Sequence, residues 1–275
     1  MSDPTRFDLD ERQRAMLAEM GVRVWWPLRA NEPASAVPEQ AVAQIEPVAP
    51  PVVRSAPAQA SAAGPGAGAV KTPQAAPAPT GRPLADGVDR MDWTTLQDTA
   101  AACQACDLCE QRKKSVFGAG DVQANWMVIG DPPGEDEAQL GEPFAGAAGQ
   151  LLGNMLKAVG LSRQTQGDGG VYITHVLKCH PSGRNPTPQE LSACAPYLAR
   201  QVALVQPKVI LVMGRFAVQS VLQTSEPLGK LRGRVHTYLG VPVVVTYHPS
   251  SLLRTPADKA KAWVDLLLAL KTAQA

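Results

Sequence analysis

Aromatic side chains are scarce: Phe, Trp and Tyr make up 5% of 275 residues, and the stretch from Pro33 to Pro83 contains none. That stretch carries 11 prolines, and a segment so composed cannot bury enough apolar surface to form a core. An excess of charge of one sign is also missing. With 26 basic and 25 acidic residues the formal net charge is +1, which excludes a global basic field of the kind that attracts nucleic acid or an anionic membrane surface. Any such partner must be met by a local patch. No apolar run reaches the roughly 18 residues of a spanning helix, and the opening MSDPTRFDLDERQR lacks the basic-then-apolar order of a signal peptide. These absences imply a soluble, cytoplasmic protein with no membrane partner.

Cysteine is sparse too. The five cysteines, an odd number, all fall between Cys103 and Cys194, and in a chain without export features their thiols are expected to stay reduced. Metal or cluster binding then takes precedence over disulfides.

What is present divides the chain in three. Residues 8 to 20 place Leu9, Met16, Leu17 and Met20 near one helical face, and GVRVWWPLR follows with Trp25 and Trp26, so residues 1–29 read as an amphipathic, Trp-containing docking peptide. It is too short to be stable alone, and it either returns to its own C-terminal domain or seats on another protein. Residues 30–87 are Ala/Pro-rich and read as a disordered linker. Residues 88–275 are long enough for one folded domain.

Within that domain, short apolar runs at Trp126 to Gly130, Val171 to Leu177, Val209 to Met213 and Val241 to Tyr247 predict strands. Helical patterns lie between and after them, at Ala148 to Val159, Pro188 to Val205, Arg215 to Gln223 and Pro256 to about Lys271. Apolar strands alternating with helices predict an α/β fold with a mainly parallel sheet covered on both faces. Ligands of such sheets sit beyond the carboxyl ends of the strands, which directs attention to the loops after Gly130, Val176, Met213 and Tyr247.

Three features of those loops carry chemistry. Cys103, Cys106 and Cys109 form C-x2-C-x2-C, with Cys179 and Cys194 downstream; C-x2-C presents two sulfurs to one centre, as in zinc and iron–sulfur sites, while incidental thiols remain an alternative. GDPPGEDEAQLGEPFAGAAGQLL begins at Gly130 and is either functional or an exposed acidic loop. HPSSLLR begins at His248, at a strand end.

These motifs, in the order CQAC with VFGAG, GDPPGEDE with GEPFAGAAGQLL, VYITHVLKC with GRNPTPQELSAC, KVILVMGRFA and TYHPSSLLR, resemble the iron–sulfur, type 4 uracil-DNA glycosylases over about Cys103 to Leu270. The resemblance implies a three-layer α/β/α sandwich and a nucleoid-associated repair enzyme that hydrolyses the N-glycosidic bond of uracil, or a related deaminated base, in DNA. It implies a [4Fe-4S] cluster on Cys103, Cys106, Cys179 and Cys194 and gives Cys109 no role. It makes Phe144 the ring on which the flipped base stacks and His248 the group that stabilises charge on uracil O2. Asp131, where the family usually has Glu, would orient water or the sugar, and Gly130 and Pro132 would line the base site. Asp is one methylene shorter, which moves the oxygen by about 1.5 Å.

His175 stands where the family usually reads Asn, whose amide offers a donor and an acceptor side by side. Imidazole carries its two nitrogens on opposite sides of a ring, so altered uracil selectivity is expected, with weak uracil excision, or none, relative to ordinary family members. His180 likewise replaces a common Arg. Finally, RQRAMLAEMGVRVWWPLR resembles the N-terminal peptide of the psi subunit of the bacterial replicative clamp loader. That likeness implies a second function, a non-catalytic glycosylase-fold subunit of the loader that docks through residues 8–29.

Overall fold

The structure, a computed structural model, describes residues 83–274 together with Met16 and Glu19. The expected linker over 30–87 and the rest of the docking peptide over 1–29 lie almost wholly outside the described residues.

Six strands form one sheet: β1 Ala119–Gly120, β2 Trp126–Gly130, β3 Val171–His175, β4 Val209–Met213, β5 Val235–Tyr238 and β6 Val241–Thr246. Their order is β1-β3-β2-β4-β6-β5, with β3, β2, β4 and β6 parallel and the two outer strands antiparallel. The eight helices among the described residues are α1 Trp93–Ala102, α2 Glu135–Leu140, α3 Gly146–Ala158, α4 Pro188–Val205, α5 Arg215–Leu222, α6 Leu228–Leu231, α7 Pro249–Arg254 and α8 Lys259–Ala273.

Every residue of β2, β3 and β4 is buried, because helices cover both faces of the sheet. The period-2 geometry of a strand sorts these side chains. Trp126 and Val128 join Leu152, Met155 and Leu156 of α3 and Leu266 of α8 in one core, whereas Met127 and Ile129 join Leu198 and Val202 of α4 and Val218 of α5 in the other. This is the expected α/β/α sandwich. A smaller cluster of Val88, Leu96, Ala100, Phe117 and Tyr197 holds the segment that precedes the sheet, with Leu84 packed against it.

The capping chemistry matches the helix starts. Asp92 accepts from the Thr95 N–H at 2.8 Å to open α1, and Thr187 with Glu190 forms a reciprocal box at α4, where Pro188 occupies the first turn.

Two described residues come from the N-terminal segment. Met16 packs against the first core, and the Glu19 carboxylate lies 3.5 Å from Lys157 Nζ on α3. Both contacts are to the chain's own folded domain. Among the described residues no helix is long and apolar enough to cross a membrane.

Candidate active site

The strand order reverses at β2: the chain leaves β2 for β3 on one side and reaches β4 on the other. A parallel sheet opens a crevice at such a point, beyond the carboxyl ends of the strands. Asp131 follows β2 into that crevice, and Gly214 follows β4. A methyl group at Gly214 would lie 2.3 Å from the Asp131 carboxyl carbon, and Gly214 has φ +104°, so a residue without a side chain is required there.

The Asp131 carboxylate sits at the start of α5, where Oδ1 accepts from the Ala217 N–H at 2.8 Å. Burial pushes this carboxyl up to about 6, against the opposing pull of the N–H groups of Ala217, Phe216 and Arg215 and of nearby His175. A carboxylate that titrates so close to neutrality is suited to exchanging protons with a bound water.

Three rings meet beside it. Phe144 stacks on His175, with centroids 4.9 Å apart and planes at 29°, and on His248, at 5.2 Å and 20°. Phe144 and His175 are buried, at 2% and 0% exposure. Gly130 forms the floor: a methyl group there would come within 2.6 Å of both His175 Nδ1 and Phe144 Cζ. Pro132 continues the same loop, half-buried.

The backbone at Phe144 is strained, with φ 55°, a region that costs a non-glycine residue about 1–3 kcal/mol. It is held there from both sides. The Phe144 N–H donates to Glu137 Oε1, Arg163 Nη1 donates to the Phe144 carbonyl at 3.0 Å, and Arg163 Nη2 donates to the Pro143 carbonyl at 2.5 Å. A side chain at Gly149 would strike the same carbonyl.

His248 caps α7, and its Nδ1 accepts from the Ser250 N–H at 3.3 Å. The neutral ring then carries its hydrogen on Nε2. Burial, with His175 nearby, lowers its pKa to about 4, so the ring is neutral at pH 7 and acts as an N–H donor.

Of the residues singled out from sequence, the structure gathers Gly130, Asp131, Pro132, Phe144, His175 and His248 at one end of the sheet. His180 stands apart, donating from Nδ1 to the Pro133 carbonyl at 2.7 Å. Sequence reasoning missed Glu137, Arg163, Gly149 and Gly214. Glu137 is hidden in the acidic run EDE, whose other two members are exposed.

Also unforeseen is Lys178, fully buried, whose Nζ donates to Thr174 Oγ1 at 2.6 Å, the His175 carbonyl at 2.8 Å and Gln201 Oε1 at 2.6 Å. It ties the end of β3 to α4. Burial lowers its pKa to about 8, and the nearby Cys194 and Cys179 oppose that fall.

The expectation of a [4Fe-4S] cluster on Cys103, Cys106, Cys179 and Cys194 is corrected. All five cysteines border one cavity of about 20 Å³, and no disulfide joins any of them. Yet among the described residues no group of three or more His, Cys, Asp or Glu side chains is arranged to hold a metal ion. In the protein alone, burial pushes the thiol of Cys106 up to about 11 and that of Cys194 up to about 12, and raises that of Cys179. Spacing brings the sulfurs to one place without giving them a ligand's arrangement.

Comparison with known proteins agrees with this architecture. Residues 117–269 match the Uracil DNA glycosylase superfamily. The type-4 uracil-DNA glycosylase of Pyrobaculum aerophilum is 34% identical over 187 residues, covering 65% of this chain and 93% of that protein. The type-4 uracil-DNA glycosylase of Archaeoglobus fulgidus is 39% identical over 164 residues, covering 56% and 80%, and that of Thermotoga maritima is 36% identical over 169 residues, covering 60% and 85%. With this coverage and a matching fold, the chain belongs to the type-4 family of uracil-DNA glycosylases.

Proposed function

We propose that this domain hydrolyses the N-glycosidic bond of uracil, or of a related deaminated base, in DNA after the nucleotide has left the stack. The observation that carries the reading is the convergence of Asp131, Phe144, His175 and His248 above Gly130, at the carboxyl ends of β2, β3 and β6. A glycosylase must stack the extruded base, hold its pairing edge, stabilise the departing anion and place a water. Phe144 supplies the stacking face.

His248 donates from Nε2 to uracil O2 as negative charge grows there. Being neutral, it has no cationic charge to lose on releasing the base, and its Nδ1 is held by the Ser250 N–H. Asp131 orients the water or the sugar. Gly130 and Pro132 line the approach, and His175 faces the base edge.

Single-turnover excision from uracil-containing single- and double-stranded oligonucleotides tests the reading. Native protein should release uracil. Asp131→Asn and His248→Ala should each slow the step by about 10²-fold or more, and Phe144→Ala should weaken both binding and turnover. Native protein that releases no base from either substrate would overturn the proposal and favour a non-catalytic role in the clamp loader.

A further inference from the structure

Glu137 forms a buried pair with His175, and the proposed chemistry gives this carboxylate no role. His175 Nε2 lies 3.3 Å from Glu137 Oε1, with 1% and 13% of the two side chains exposed. The same carboxylate accepts from the N–H groups of Gly134 and Phe144. Burial raises the Glu137 pKa, but the hydrogen bonds from His175 and from those two N–H groups outweigh it and hold the carboxyl below its ordinary value. The group is therefore ionised at neutral pH.

A carboxylate only accepts, so the hydrogen of the Nε2–Glu137 contact belongs to the imidazole. In the neutral ring the other nitrogen then presents a lone pair. That atom, Nδ1, is buried and has no hydrogen-bond partner in the protein. It sits over Gly130 and beside the Phe144 ring, on the floor of the base site. A buried acceptor left unmatched opposes folding, and a ligand N–H would relieve it.

We propose that Glu137 is a positioning residue that fixes His175 with its hydrogen on Nε2, and that Nδ1 thereby becomes the acceptor by which this site selects bases carrying a ring N–H. The inference rests on the glycosylase reading and deepens it. Uracil meets the requirement through N3–H, and the same lactam N–H is present in deaminated purines. Cytosine presents a lone pair at that ring position, and a uracil methylated at N3 presents no hydrogen. In Glu137→Gln, one amide oxygen replaces two carboxylate oxygens that serve three N–H groups, and the amide nitrogen is itself a donor. The imidazole then loses its fixed hydrogen.

The test combines a tautomer measurement with a discrimination measurement on the full chain. Two-bond ¹H–¹⁵N correlation NMR of ¹⁵N-labelled native protein should show His175 with hydrogen on Nε2 and none on Nδ1, and Glu137→Gln should mix or invert that pattern. Affinities are measured in parallel for cleavage-resistant, 2′-fluorinated oligonucleotides bearing uracil or N3-methyluracil. Native protein should favour uracil by at least about tenfold, shrinking to under about threefold in Glu137→Gln.

A native ring with hydrogen on Nδ1 would overturn the inference, and so would a folded Glu137→Gln protein with undiminished discrimination. If that variant does not fold, the tautomer in the native protein decides alone. Failure to excise uracil, with tautomer and discrimination as stated, would sink the glycosylase reading and leave the inference standing.

Discussion

Gly214→Ala isolates the placement of Asp131. A methyl group at this position would stand 2.3 Å from the carboxyl carbon and from Oδ2, and 2.5 Å from Oδ1, where ordinary contact begins near 3.4 Å. The carboxylate must retreat by about 1 Å, and in doing so it abandons the 2.8 Å hydrogen bond from the Ala217 N–H. A displacement of that size in a reacting group costs on the order of 10²-fold in rate.

The substitution also strains the backbone, since φ +104° with ψ 168° lies in territory reserved for glycine, at about 1–3 kcal/mol. Thermal melting therefore accompanies single-turnover excision, and Gly153→Ala serves as control. Gly153 lies inside α3 with nothing within 4 Å of an added methyl group, so this change should leave excision intact and stabilise by about 0.5–1 kcal/mol. In an Asp131→Asn background, Gly214→Ala should add little further loss, because the group it displaces is already disabled. Full activity in a folded Gly214→Ala protein would refute the placement of Asp131 at the reacting centre. A full additional loss on top of Asp131→Asn would refute the route through the carboxylate.

The remaining expectations concern pH, a buried ion pair and the departure at His175. Asp131 is raised from 3.8 to about 6, so excision that needs its carboxylate should fall about tenfold per pH unit below 6, a limb that Asp131→Asn should remove. For stability the sign is opposite in the two acids. The raised Asp131 opposes folding above pH 6 and is relieved as pH falls toward 4, whereas the depressed Glu137 stabilises above 4.5 and loses that contribution as pH falls toward 2. Urea titration from pH 7 down to 2 reads both, with the steepest loss expected below 4.5.

Arg232 pairs with fully buried Asp265 at 2.6 Å and lies over the Tyr247 ring at 4.6 Å, so Arg232→Ala, which strands that carboxylate, should cost about 3–5 kcal/mol in the same titration. His175→Asn trades the ring for a side-by-side donor and acceptor and should raise uracil excision, by about tenfold or more. No increase in a folded variant would mean that the ring is not what limits the site.

Much of the sheet was legible because burial on both faces leaves its strands as bare apolar runs: WMVIG and VILVM coincide with β2 and β4 residue for residue. The outer strands were not. β1 is two residues of Ala and Gly, and β5, VHTY, alternates exposed and half-buried positions between charged and glycine neighbours. Neither carries an apolar run for the eye to find.

The candidate site divides in the same way. His175 and His248 could be located because strand ends are where parallel sheets hold ligands, and Phe144 because its motif is distinctive. Glu137 and Gly214 could not, since what each does depends on a group brought opposite by the fold, an imidazole 38 residues away for one and the Asp131 carboxylate for the other. The cysteines show the reverse error. Their spacing foretold that the sulfurs would share a place, but a spacing does not record how the fold arranges them, and among the described residues they form no group that could hold a metal ion.

The crevice between β2 and β4 has one further consequence, for the way distant changes reach the chemistry. Asp131 leads by way of α2 into α3, which lies with the first core, while Gly214 opens α5, which lies with the second. The two sides of the crevice thus belong to opposite layers, with the sheet acting as the hinge plate between them. A repacking around Leu152 moves one side and a repacking around Val218 moves the other, and either changes the same gap of a few ångströms. Variation in the two cores should therefore be coupled through the site even though the sheet keeps those cores out of contact, and paired substitutions, one from each layer, are where non-additive effects on activity should be sought.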